Sequence, residues 1–454
     1  MPSSDTTTHA AAHQIPRRRP NVLVFLTDQQ RWDTTGLHGN PMGLTPALDR
    51  LAADGVVVDR SFTCQPVCAP SRASLQTGQY PTTTGVFRNG LTLPRDSPTL
   101  ARSFRDAGYD TGYIGKWHLA GDHTSGPVPQ GDRAGYAYWL AANLLEFTSD
   151  AYRTDLYDSD GRAHHFEGYR ADALGSAAVD FLSRDREQPF FLFLSFLEPH
   201  HQNSRDDHPA PTGYDERYAD PWVPSDLRAQ PDGNWREQLP GYYGMVRRLD
   251  EVLARVTGVL EQRGELDDTV LLFTSDHGCH FKTRNGEYKR SVHDASLRVP
   301  TVLRGPGLRG GVRLPHLVSH VDLAPTLLDA AGVEVPPQMQ GHSLLPLLNG
   351  TDASWPREVL VQVSESEVGR ALRTERWKYG ATAPDADAWN DPRADAYEDA
   401  YLYDLGADPE ELTNLVADPG HAGVLAGLRE RLARRIEESG EPRPAITAGT
   451  AARS

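Results

Sequence analysis

The chain has 454 residues, 46 Lys and Arg against 62 Asp and Glu, and a formal net charge of −16, which excludes the basic footprint of a phosphate-backbone binder. At 38% hydrophobic and 24% charged it has the composition of a globular protein with a sizeable core, and no apolar run approaches the roughly 18 residues of a membrane-spanning helix. Its three cysteines, Cys64, Cys68 and Cys279, are too few for a disulfide framework and suit a reducing compartment.

Residues 1–18 read as a disordered tail. Arg17, Arg18 and Arg19, where the tail ends, are followed by an apolar stretch too short for a secretory signal, and a cytoplasmic location is therefore expected. Buried strands are predicted over residues 22–26, 190–197, 270–273 and 299–303, and helices over 46–54, 97–107, 171–182 and 244–260. A further helix is predicted at 320–331. Strands alternating with helices predict an α/β domain over residues 19–350, its mostly parallel sheet covered on both faces. After the turn-rich 349–355, short strands at 359–363, 371–379 and 401–405 and a charged helix at 424–439 predict a small α+β domain over 351–440. Residues 381–400 read as an acidic loop and 441–454 as a tail.

Two segments echo each other: NVLVFLTD ends in Asp28 and TVLLFTSD ends in Asp276. The carboxyl ends of parallel strands share one edge of a sheet, where ligands bind, so the two carboxylates can converge. Each is followed by a neutral ligand type, Gln29 and His277, and the set suits a divalent cation. Either aspartate could equally begin a turn or cap a helix. A third segment, CQPVCAPSRASLQTGQY, puts Cys68 before Pro70, which favours the first turn of a helix. Cys68 then sits where helix N–H groups hold anions, with Arg72 one turn on.

The pattern C-x-P-S-R-x-x-x-x-T-G resembles the signature of the formylglycine-dependent (type I) sulfatases of the alkaline-phosphatase-like superfamily. RPNVLVFLTDQQ, GKWHL, SFLEPH, FTSDHG and YLYDLGADPEELTNL resemble further family segments in the family's order, across most of the chain. The resemblance implies an alkaline-phosphatase-like central mixed sheet flanked by helices, with a smaller domain of short antiparallel sheet plus helix. It implies that Cys68 is oxidised to formylglycine by a formylglycine-generating enzyme, and that the aldehyde hydrate attacks a sulfate ester of a carbohydrate, aryl or alkyl alcohol. Asp28, Gln29, Asp276, His277 and the modified Cys68 would hold the cation, calcium first, with magnesium or manganese as alternatives. Arg72 would hold the modified side chain, Lys116 and Lys289 would bind sulfate oxygens, His118 would take a proton from the hydrate, and His200 would serve the leaving oxygen.

His293, four residues past Lys289, would contact substrate. Cys279 is expected to pack and Cys64 to remain a thiol. Many members of the family place Asp where Gln29 stands and Asn where His277 stands. A phosphonate monoester or phosphodiester hydrolase using the same nucleophile is the alternative activity. The reading from another class is a non-catalytic glycan- or anion-binding protein, against which the retained Cys68, Arg72, Asp28, Asp276 and both lysines speak. Neither nucleic acid nor membrane is expected as a partner.

Overall fold

The computed structural model describes residues 19–122, 125–351 and 354–449. The expected tail over residues 1–18 lies outside them. The large sheet contains β1 (Asn21–Thr27), β2 (Val56–Phe62), β3 (Asp110–Lys116), β4 (Tyr138–Ala142), β5 (Arg153–Asp158), β6 (Ala163–Glu167), β7 (Phe190–Ser195), β8 (Thr269–Ser275), β9 (Arg298–Val299), β10 (Val302–Arg304) and β11 (Val312–Ser319). Their order is β11-β2-β10-β8-β1-β7-β3-β4-β5-β6, with β9 on β2. The central run β8-β1-β7-β3-β4 is parallel, while β10, β9, β5 and β6 pair antiparallel. β1 is apolar on both sides because helices cover both. Val22, Val24 and Leu26 pack in the core under helices Cys68–Thr77, Leu100–Asp106 and Leu323–Ala330. Leu23 and Phe25 pack under Pro46–Ala53, Arg170–Leu182 and Trp235–Gln262.

The small domain is a five-stranded sheet of β12 (Glu358–Val363), β13 (Gly369–Thr374), β14 (Trp377–Thr382), β15 (Ala396–Asp404) and β16 (Ala445–Thr447), in that order. Leu425, Leu428, Leu432 and Ile436 of helix Ala422–Glu438 pack against it. Val292 and Leu297 of the large domain share a buried cluster with Val359, Val361 and Tyr403 of the small one, so the two units meet through apolar surface.

Several elements differ from expectation. The strand expected at 299–303 is two strands broken at Pro300 and Thr301; β9 pairs only with β2, whereas β10 lies between β2 and β8. The stretch 371–379 is a hairpin turning at Glu375–Arg376, and the loop expected over 381–400 is confined to 383–395, since β14 runs to Thr382 and β15 begins at Ala396. The helix expected from 244 begins at Trp235, where Pro240 and Gly241 disguise the apolar period. Residues after 440 are not all tail: Ala445–Thr447 pairs parallel with β15. Buried Glu441 accepts from the Arg370 guanidinium at 2.8 Å. Among the described residues no helix is long and apolar enough to cross a membrane.

Candidate functional site

Because β1 and β8 pair in parallel with Thr27 opposite Ser275, Asp28 and Asp276 leave the sheet side by side. The chain turns sharply after Asp28. Gln29 takes a left-handed φ of 67°, held by its own N–H on Asp276 Oδ1 at 3.1 Å and by the Tyr242 hydroxyl, which donates to its carbonyl at 2.7 Å. A non-glycine residue held in this way is strain retained at a site. Cys68 opens the helix Cys68–Thr77 as expected. Its sulfur lies 3.3 Å from His277 Nε2 and 3.8 Å from Asp28 Oδ1, and Lys289 Nζ donates to it at 2.9 Å.

Arg72, one turn into that helix, spans both carboxylates: Nη2 meets Asp28 Oδ2 at 3.0 Å and Nε meets Asp276 Oδ2 at 3.1 Å. Its Nη1 donates to the Lys116 carbonyl and to Ser195 Oγ. Lys116, at the end of β3, places Nζ 2.8 Å from Asp28 Oδ2 and 3.0 Å from Glu146 Oε1. His118 faces the Cys68 sulfur from a second left-handed residue, φ 61°. His200 Nε2 lies 3.1 Å from Lys289 Nζ.

The electrostatics follow from burying these groups together. Burial alone would raise the Cys68 thiol, but the Lys116 and Lys289 ammonium groups outweigh it and hold the group well below its ordinary value. Burial likewise opposes ionisation of Asp28, as does Cys68, yet Lys116, His200 and Arg72 bring its carboxyl down. Asp276 is pushed up, by burial and then by the neighbouring charge of Asp28.

The donor set fits a cation. One atom each of Asp28, Cys68, Asp276 and His277 lie within 4.8 Å of one another, all buried. The His277 Nδ1 atom lies 3.0 Å from the Gly278 carbonyl, which can only accept, so the proton sits on Nδ1 and Nε2 presents its lone pair to the carboxylates. Gln29 Oε1 is buried without a hydrogen-bond partner, an acceptor a metal would satisfy.

The structure thus brings Asp28, Gln29, Cys68, Arg72, Lys116, His118, His200, Asp276, His277 and Lys289 to one cleft. It does not bring His293. Arg290 takes a left-handed φ of 66° and the chain turns away, leaving the His293 ring buried with Nε2 3.1 Å from the Tyr403 hydroxyl of the small domain. The expected substrate contact by His293 is therefore corrected to a domain contact. Cys64 and Cys279 are buried free thiols, each pushed up to about 12 by burial. Glu146 was not singled out from the sequence, and no motif marks it. It belongs here because β4 runs parallel to β3 and ends at the same edge.

Two family models match: the sulfatase model over residues 20–333, and the N-sulphoglucosamine sulphohydrolase C-terminal model over residues 286–438. An ulvan-active sulfatase of Formosa agariphila is 30% identical over 443 residues, 93% of this chain and 82% of that protein.

The chain belongs to the sulfatase family.

An uncharacterised Escherichia coli sulfatase, YidJ, is 31% identical over 94% of this chain and 88% of its own. The crystal structure of the sulfatase yidJ from Bacteroides fragilis superposes with a TM-score of 0.81 at 24% identity, over 94% of this chain and 98% of that one, and has the same fold. This sulfatase is accordingly a sulfuric ester hydrolase.

Proposed function

We propose that this sulfatase hydrolyses a sulfate ester through formylglycine made from Cys68, with a divalent cation, calcium first, held by Asp28, Gln29, Asp276, His277 and the modified side chain. The observation that carries the reading is the position of Cys68: first residue of its helix, 3.3 Å from the His277 lone pair and 2.9 Å from Lys289 Nζ. The aldehyde hydrate supplies an oxygen nucleophile, and the cation supplies positive charge beside it. The chain's own residues do the rest. Lys116 and Lys289 provide preorganised positive charge where sulfate oxygens gather. Arg72 fixes both carboxylates. His118, beside the same side chain, accepts a proton.

His200 is oriented by its neighbour. Its Nδ1 lies 2.7 Å from the His201 carbonyl and so carries the proton, turning Nε2 into the cleft toward the leaving oxygen. Cys68 is only 1% exposed, which supports modification of the chain before it folds, by a formylglycine-generating enzyme. Three free, buried cysteines suit a reducing, cytoplasmic setting, which cell fractionation tests.

Peptide mass spectrometry across Cys68, paired with turnover of 4-nitrophenyl sulfate, tests the reading. The active fraction should track the aldehyde content, Cys68→Ala should be inert, and EDTA should remove activity that calcium restores. Equal turnover by Cys68→Ala would end it. A phosphonate monoester carries the same single negative charge as a sulfate ester. A kcat/KM on 4-nitrophenyl phenylphosphonate several orders above that on the sulfate would make the phosphonate the substrate.

A further inference from the structure

Five large apolar side chains stand out to solvent among the described residues, and two of them, Phe147 at 62% and Trp389 at 46% exposure, line the one cleft that ends on Cys68. That cleft holds about 210 Å³ and opens to solvent. Trp389 comes from the small domain, on the loop between β14 and β15.

Its ring is held in place. The Arg88 guanidinium lies over it, 4.8 Å from the ring centre, and the backbone N–H of Trp389 donates to Asp387 Oδ1 at 2.9 Å, which fixes the turn that carries it. The loop is tied to the catalytic domain through Glu365, which bonds the Ala388 carbonyl at 2.8 Å through its N–H and accepts from the Asn89 N–H at 2.7 Å. Asn89 in turn accepts at 3.1 Å from the N–H of Ala69, next to Cys68. The other Glu365 oxygen pairs with Arg290 at 2.5 Å, beside Lys289. Trp389 is therefore fixed relative to the nucleophile while nearly half of its surface remains in water. An aromatic side chain kept rigid and wet has apolar area left for a ligand.

We propose that Trp389 is the stacking platform for the leaving group, and that this group is an uncharged pyranose ring. The proposal rests on the sulfatase reading of Cys68. A pyranose offers an apolar C–H face to the indole and hydroxyls to the polar groups that share the cleft, Asn89, Asp122, Asn203 and Glu287. A cationic alcohol would meet Arg88, already seated over the ring, and the two site lysines. A second anionic group would meet Asp122, while Glu287 is already paired with Arg290 at 2.8 Å. A plain aryl ring would stack but leave the polar lining unpaired. The small domain thereby selects the substrate, while the large domain performs the reaction.

The test uses mature protein of confirmed aldehyde content as wild type and two variants, Trp389→Ala and Trp389→Phe, each assayed on ethyl sulfate, 4-nitrophenyl sulfate, choline sulfate and the 2-, 3-, 4- and 6-sulfates of methyl galactoside and methyl glucoside. Inhibition by inorganic sulfate is read in parallel, and the exposed position of Trp389 lets unchanged melting temperatures confirm folding. At least one sugar sulfate should be the best substrate. Trp389→Ala should lower its kcat/KM about tenfold through KM, Trp389→Phe should recover part of that, and the inhibition constant of inorganic sulfate should not move. The proposal is overturned if Trp389→Ala leaves every ester within twofold of wild type, or if aryl or choline sulfate is turned over and all sugar sulfates are inert. No turnover of any ester by aldehyde-bearing protein would instead fell the sulfatase reading, and this proposal with it.

Discussion

Arg72 makes four hydrogen bonds from one planar group, to Asp28, Asp276, the Lys116 carbonyl and Ser195. An ammonium cannot reproduce that fork, since its donors radiate from a point. Arg72→Lys should lower kcat/KM on 4-nitrophenyl sulfate about 100-fold and reduce the content of bound divalent metal, read by elemental analysis; full metal content with full activity would refute the role. His208 allows a test of proton linkage away from the reacting groups. Burial among Tyr242, Phe281 and Tyr288 brings its imidazole down to about 4, against an unfolded value of 6.5. As pH falls, the unfolded chain takes up this proton first. The stability His208 lends is thus complete above pH 6.5, is lost between 6.5 and about 4, and changes no further below that. At ~1.4 kcal/mol per unit, wild type should lose roughly 2–4 kcal/mol through this group across the window, and His208→Asn should lose correspondingly less. Parallel denaturation curves at pH 7 and pH 4.5 check it, and identical pH slopes would exclude it. At this scale the sequence announced what strand ends announce: Asp28 and Asp276 each close an apolar run. It could not announce Glu146 or Asn89, which reach the site from segments with no motif. It misplaced His293 because four residues' spacing says nothing about a left-handed turn at Arg290.

Among the elements, β3 is the one whose placement is least forgiving. Gly115 pairs with Ser195 of β7 at a φ of +107°, and a Cβ there would stand 1.9 Å from the Ser195 carbonyl oxygen. The two strands approach this closely only because glycine has no side chain. Their ends carry Lys116 and the Ser195 hydroxyl on which Arg72 leans. Gly115→Ala should therefore cost about 2–4 kcal/mol, from overpacking and backbone strain together. It should abolish most turnover even at temperatures where the protein stays folded, because Lys116 moves with the strand. Thermal melts with activity measured well below the transition test this; a variant of unchanged melting temperature would disprove the close approach. The apolar runs of β1, β7 and β8 could be read directly, being buried on both faces. β3 and β4 could not, since glycines and tyrosines dilute the pattern in strands whose burial comes from neighbours far along the chain.

At the scale of the whole molecule, the small domain is a structural partner of the catalytic loop rather than an appendage. Between Arg284 and β9 the chain leans on it repeatedly. Arg284 donates to the carbonyls of Glu410 and Glu411 at 2.6 and 2.8 Å, and His293 meets Tyr403. Lys378 of β14, fully buried, contacts Asp294 and lies 2.5 Å from Glu411. Asp294 has a second cation in Arg373 at 3.0 Å, whereas Glu411, which also accepts the Asp294 N–H at 2.6 Å, meets its positive charge in Lys378. No sequence pattern pairs a lysine at 378 with acids at 294 and 411; only the docking of the two sheets does. Removing the lysine leaves a carboxylate in a dry interface, which costs more than the pair was worth. Lys378→Met should destabilise the protein by about 3–5 kcal/mol and raise KM for 4-nitrophenyl sulfate as the segment bearing Lys289 loosens. Adding Glu411→Leu removes the orphaned charge, so the double variant should regain a good part of the stability. Denaturant titration of both variants decides it. If the double variant is less stable than the single by the full cost of another core substitution, the buried charge is not what holds the two domains in register.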